Sequence, residues 1–177
     1  IRLSLVGSEM CIRDSMTTAT DTFDDGQPGD MNGRLPFAQG AGHVNPTAAL
    51  NPGLVYGITE LDYRKYMCGA GVSAQCSAGQ MAGYDLNLPS ITVGNVLGTV
   101  TVNRSVTNVG SQPATYTAEA QMQGFSAVVA PASLQLAPGE TKSFTVTLTR
   151  GNAAENVWQY GLLTWSDGVH RVRLSLI

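Results

Sequence analysis

A chain of 177 residues has room for one ordinary domain or two small ones, and a net charge of −3 with 13% charged residues leaves no basic face for a nucleic acid. Its apolar runs are short and interrupted by Gly, Pro or Thr, so none spans a bilayer. Abundant glycine (20 residues) and a second half rich in Thr, Val and Ser tilt the chain towards β structure.

Residues 1–15, IRLSLVGSEMCIRDS, show neither hydrophobic period nor turn logic and resemble translated sequencing-adapter read-through. Residues 174–177 raise the same suspicion, and neither end is expected to carry function. No secretory signal peptide opens the chain, and a piece of a longer precursor would lack one as well. After Met16-Thr17-Thr18-Ala19 the chain turns polar and Gly-rich. Asp21, Asp24, Asp25 and Asp30 fall there without the alternating spacing of a Ca2+ loop, so the segment reads as a solvated acidic loop.

Residues 36–57, PFAQGAGHVNPTAALNPGLVYG, are punctuated by Gly, Pro and Asn. Pro46 in a first turn predicts a short helix over Asn45–Leu50, and Leu54-Val55-Tyr56 reads as a short strand. His43 has no Ser, Cys or second His at a spacing that suits catalysis or metal binding, so it reads as structural. Thr59 as N-cap with Asp62 three residues on predicts a helix over Thr59–Cys68, stopped by Gly69, with Leu61, Tyr66 and Met67 facing inward. Residues 69–85 form a loop and a domain boundary. Cys68 and Cys76 match neither a metal knuckle nor a CxxC redox motif. They form a short-loop disulfide in an exported protein or are two free thiols. Cys11 stands alone.

From Leu86 the period changes to two. Thr99–Asn108, broken at Arg104, Ala114–Ala120, Ser126–Ala130, Lys142–Thr149, Gln159–Trp165 and Val169–Arg173 are expected strands. Asn108-Val109-Gly110-Ser111, Ala137-Pro138-Gly139-Glu140 and Ser166-Asp167-Gly168 separate them, and Asp167-Gly168 is a tight-hairpin signal. About seven short strands with such turns predict a β-sandwich of the immunoglobulin or fibronectin type III shape. Its core would hold Val100, Val102, Tyr116, Phe144, Val146, Leu148 and Trp165. His170 reads as a strand-surface residue. Asn103-Arg104-Ser105 is an N-glycosylation sequon whose mid-strand place makes it incidental.

PFAQGAGHVNPTAALNPGLVY resembles the closing segment of the peptidase domain in subtilases, the subtilisin-like serine proteases, in their plant and bacterial extracellular branch. Met16-Thr17-Thr18-Ala19 resembles the end of the helix pair after their catalytic serine. DLNLPSITV (Asp85 to Val93), VTVNRSVTNVG (Val100 to Gly110) and YGLLTWSDGVHRVR (Tyr160 to Arg173) resemble their carboxy-terminal fibronectin type III-like domain. The resemblance covers about nine-tenths of the chain, with its blocks in family order. It implies a mainly β chain: a fibronectin type III-like β-sandwich over 86–177, preceded over 16–85 by the irregular, partly helical end of a subtilisin-like α/β peptidase domain.

The family's serine sits in a GTSMAxP motif, which would lie upstream of Met16; Gly7-Ser8-Glu9-Met10 imitates it faintly, in the wrong order. No residue matches the catalytic Asp, His, Ser or oxyanion-hole Asn, so no catalytic position is carried over and the chain alone is expected to be inactive. The resemblance implies a secreted endopeptidase parent whose upstream peptidase domain is this chain's partner, with protein or peptide substrates and a homodimer contact reached through the parent. Cys68 and Cys76 fall where plant relatives carry a cysteine pair, which implies the disulfide. Calcium is a ligand of many family members and is assigned to no residue here; no cofactor is expected. The alternative is a non-catalytic module for carbohydrate or protein, with Trp158 and Tyr160 as its aromatic platform. Without the parent's core, residues 16–85 are expected not to fold, because Phe37, Val44, Leu54 and Val55 would lack partners.

Overall fold

The structure, a computed structural model, describes residues 12–20, 37, 40–74 and 76–177. The acidic loop, Cys11 and the faint serine-motif imitation at Gly7–Met10 lie outside the described residues. Residues 12–17 are helical. The helix α1 (Pro46–Ala49) follows with Asn45 as its cap, the Asn45 Oδ1 accepting from the Ala48 N–H. Next come the strand β1 (Leu54–Val55) and the helix α2 (Glu60–Gly69). Eight further strands complete the chain: β2 (Ser90–Ile91), β3 (Thr99–Asn108), β4 (Ala114–Met122), β5 (Phe125–Ala130), β6 (Ser133–Leu136), β7 (Thr141–Arg150), β8 (Gly161–Ser166) and β9 (Arg171–Leu176).

The strands join in one curled sheet of order β1-β3-β7-β5-β4-β8-β9-β2, with β6 pairing β4. The β4–β5 junction is a single pair, Met122 opposite Phe125, and the sheet folds there into two facing layers. Alternation in β3, β7 and β9 sends every second side chain inward. The layers meet where Phe144 of β7 packs edge-on against Trp165 of β8, ring centroids 5.1 Å apart. All the expected core residues line this interior, Val100 only partly buried. Asn108 ends β3 as a buried hub: its Nδ2 donates to Gln112 O and Leu136 O, and its Oδ1 accepts from the Gly110 N–H.

Several expectations need correction. Arg104 does not break β3. It shares the inward phase of Val102 and Val106 and is 3% exposed. Asp167-Gly168 is not a two-residue turn, because Ser166 pairs with Arg171 and four residues lie between. The Asp167 Oδ1 accepts the N–H groups of Val169 and His170, an Asx-type closure that lengthens the loop. The short strands β2 and β6 are additions to the expected set, β6 supplying Leu134 and Leu136 to the core. Leu174 and Leu176 are fully buried on β9.

The capping box of α2 forms as expected, Thr59 and Asp62 each satisfying the other's backbone N–H. Gly69 lies inside the helix and is required there because a Cβ would overlap the Met81 carbonyl. Leu61, Tyr66 and Met67 do not face inward: all three are exposed, and Cys68 is the buried residue of α2.

Candidate functional site: the junction between the leading segment and the sandwich

Leu54 and Val55 are too few to hold a strand by themselves, yet β1 lies antiparallel on the edge of β3, Leu54 opposite Asn108 and Val55 opposite Thr107. This register sends Leu54 and, beyond the strand, Tyr56 into the sandwich core, both fully buried. The Tyr56 ring packs edge-on against Phe144 at 6.5 Å. Leu54 therefore has a partner, contrary to expectation, and the partner is the sandwich itself. Phe37, though half-exposed, also has ring partners in the sandwich, Trp158 and Tyr160, contrary to expectation, while Val44 is largely exposed.

Next to Tyr56, burial lowers the pKa of the Arg104 guanidinium to about 10, with the Asp85 charge opposing the shift, and the group remains a cation at neutral pH. Its Nε donates to Leu88 O, its Nη1 to Asn103 O and its Nη2 to Ser90 O. The planar fork thus ties the approach to β2 onto β3. The same edge is closed by side chains. Asp85 Oδ1 accepts from the Asn103 N–H, Asn87 Oδ1 from the Ser105 N–H, and Asn87 Nδ2 donates to Ser105 O. The DLNLPS block thereby satisfies backbone groups of β3 that would otherwise be an open edge.

A third contact fixes the turn before β1. Gly53 has φ of +75°, and a Cβ there would lie 2.5 Å from the Tyr116 Oη and 2.8 Å from the His170 Cγ. His170 is not a plain strand-surface residue: its Nδ1 lies 2.7 Å from Asp167 Oδ2 and its ring leans on Tyr116, with centroids 6.5 Å apart. Burial would raise the Asp167 pKa, but the His170 side chain and the His170 and Val169 N–H groups outweigh it and hold the carboxyl at about 2. Burial, the Asp167 charge and a hydrogen bond to Asp167 push the Tyr116 phenol well above its usual range. The pair has the look of a catalytic Asp–His dyad, yet His170 Nε2 is buried without a hydrogen-bond partner, and so without a nucleophile to activate, among the described residues.

Two longer ties complete the junction. Arg13 Nη1 donates to Tyr56 O, and Arg173 Nη1 of β9 donates to Ala19 O. His43 pairs with Thr20 through backbone alone, N–H to O at 2.9 Å each way, with its side chain exposed.

At one end of the sandwich a groove of about 500 Å3 runs between Val93, Leu97, Phe125 and Trp158. Trp158 is 47% exposed, but Tyr160 is 6% exposed and cannot offer a face, so the two do not form a platform. Phe37 packs edge-on against both, with centroids at 5.3 and 5.9 Å. The Cα atoms of Cys68 and Cys76 lie 5.5 Å apart, within the span that a disulfide bridges. Among the described residues no three His, Cys, Asp or Glu side chains gather as a metal site, and no helix is long and apolar enough to cross a membrane.

The sequence pattern of the fibronectin type-III domain family matches residues 85–177. The chain belongs to that family. The fibronectin type-III match starts at Asp85, the first residue to cap the edge of β3, and leaves out β1, which the fold nonetheless recruits. The chain is also 38% identical to the subtilisin-like protease SBT5.3 of Arabidopsis thaliana over 96% of its length, which is 24% of that protein. It is 37% identical to the subtilisin-like serine-protease S of Lotus japonicus, over 81% of this chain and 21% of that one. A subtilisin-like protease of Glycine max is 39% identical, over 89% and 22% respectively. The chain spans about a quarter of the length of these relatives.

Proposed function

We propose that this chain is the carboxy-terminal accessory part of a secreted subtilisin-like serine endopeptidase, and that its work is to fasten the end of the peptidase domain to the fibronectin type-III sandwich. The observation that carries this reading is the burial of Leu54 and Tyr56, from the segment that resembles the peptidase domain's closing stretch, inside the sandwich core. In the parent, residues 16–85 are the tail of the peptidase domain and residues 86–177 the accessory domain. The exposed apolar residues of α2 and the groove rim at Leu97 and Trp158 support a contact with the parent's upstream part. Cys68 and Cys76 form a disulfide in an exported protein, closing the loop that follows α2.

A fluorophosphonate probe, which labels activated serines, tests the assignment. The full parent is expected to be labelled and this chain alone to stay unlabelled. Denaturation-sensitive labelling of the isolated chain, or a parent gene without a GTSMAxP serine upstream of Met16, would overturn it. The carbohydrate-module reading has lost its platform with the burial of Tyr160.

A further inference from the structure

We propose that Asn103 is an N-glycosylation site, and that its sugar chain marks the outer face of β3 and β7 as the solvent side of the domain. This rests on the secreted reading above. Asn103-Arg104-Ser105 is the one Asn-x-Ser/Thr tripeptide of the sequence whose middle residue is not proline. A mid-strand place counts against modification only where the side chain is covered. In β3 the alternation turns Arg104 inward and leaves Asn103 exposed on the outer face.

The surroundings suit a glycan. Opposite Asn103 stands Thr145, Ser105 faces Ser143, and the other outer-face cross-strand pairs are threonines joined by hydroxyl hydrogen bonds: Thr99 to Thr149 at 3.2 Å, Thr101 to Thr147 at 3.1 Å and Thr107 to Thr141 at 2.7 Å. Every outward position of the paired stretches, from Thr99 to Thr107 and from Thr141 to Thr149, is Thr, Ser or Asn. Such a face gives a partner domain no apolar patch to bury, whereas a bulky, solubilising sugar belongs on a wet polar surface.

The bonding also dates the modification. In the folded chain the Asn103 N–H is held by Asp85, and Ser105 Oγ accepts from Asn87 Nδ2 at 3.1 Å. The hydroxyl that the sequon requires is thus engaged once residues 85–90 have closed on β3, so transfer precedes that closure. In the transfer, Asn103 Nδ2 attacks the anomeric carbon of an oligosaccharide carried on a lipid pyrophosphate. The C–N bond forms as the C–O bond breaks, the lipid pyrophosphate leaves with the electron pair, and one Nδ2 proton passes to a base of the transferase.

The test is to express the 177-residue chain behind a secretory leader in insect cells and recover it from the medium. The expected result is a mobility shift removed by an endoglycosidase specific for Asn-linked sugars, absent in Asn103→Gln and in Ser105→Ala but kept in Ser105→Thr, which preserves the sequon. A secreted chain without the shift, or a shift that survives in Asn103→Gln, overturns the proposal. Because the leader imposes entry, that failure counts against the site alone; the secreted reading fails separately if the native precursor stays inside the cell. The folded, unmodified chain offered to the transferase with its lipid-linked donor is expected to be refused, and modification equal to that of a peptide spanning residues 100–108 overturns the timing.

Discussion

Tyr56 is the residue on which the junction turns, because it combines full burial with a phenol oxygen that has no hydrogen-bond partner among the described residues. Burial pushes its pKa far above the usual range, so the group stays neutral. The ring then contributes packing, and the hydroxyl bears a desolvation cost without a compensating bond. Tyr56→Phe is therefore expected to leave stability unchanged or raise it, while Tyr56→Ala is expected to cost about 3–5 kcal/mol through the cavity beside Phe144. Urea unfolding of the two variants checks this, and a Phe variant as damaged as the Ala variant would mean that the hydroxyl holds a partner.

The turn between β8 and β9 shows how an element can act on another far away in sequence. Its Asp167 and His170 close their own loop and at the same time present the ring that bars any side chain at Gly53. The folded pKa of Asp167 is depressed, to about 2, so the carboxylate's contribution is fully present above its unfolded value near 4 and is lost as pH falls towards 2. Thermal unfolding followed from pH 6 to pH 2 should show a fall in Tm over that window that is shallower in Asp167→Asn. Equal slopes in the two proteins would show that the loop's acid sensitivity arises elsewhere.

At the scale of the whole molecule, the folding unit is larger than the matched family domain. A chain cut to residues 85–177 keeps β2 to β9 but loses Leu54 and Tyr56 from the core and uncovers the edge of β3 at Thr107 and Asn108. It is expected to unfold at lower temperature and lower urea than a chain beginning at residue 50, with a smaller m-value in proportion to the surface it no longer buries. Identical midpoints would show β1 to be an ornament of the sandwich rather than part of it.

The sequence by itself determined the sandwich, because alternation of period two survives in β3, β7 and β9 and punctuating Gly, Pro and Asn mark the turns. It likewise determined the capping of α2 by Thr59, since a capping box is a matter of neighbours a few residues apart. Only the tertiary structure decided the fates of Arg104, Tyr56 and His170. A charge in a strand reads as a break until distant carbonyls at Leu88 and Ser90 are seen to satisfy it. Leu54-Val55-Tyr56 reads as a short strand from its apolar run, but which edge receives it, that of β3 at Asn108, depends on chain far away in sequence. The inward face assigned to α2 went wrong for the same reason: helical spacing places side chains on one side of a helix, but whether anything lies against that side depends on chain far away in sequence.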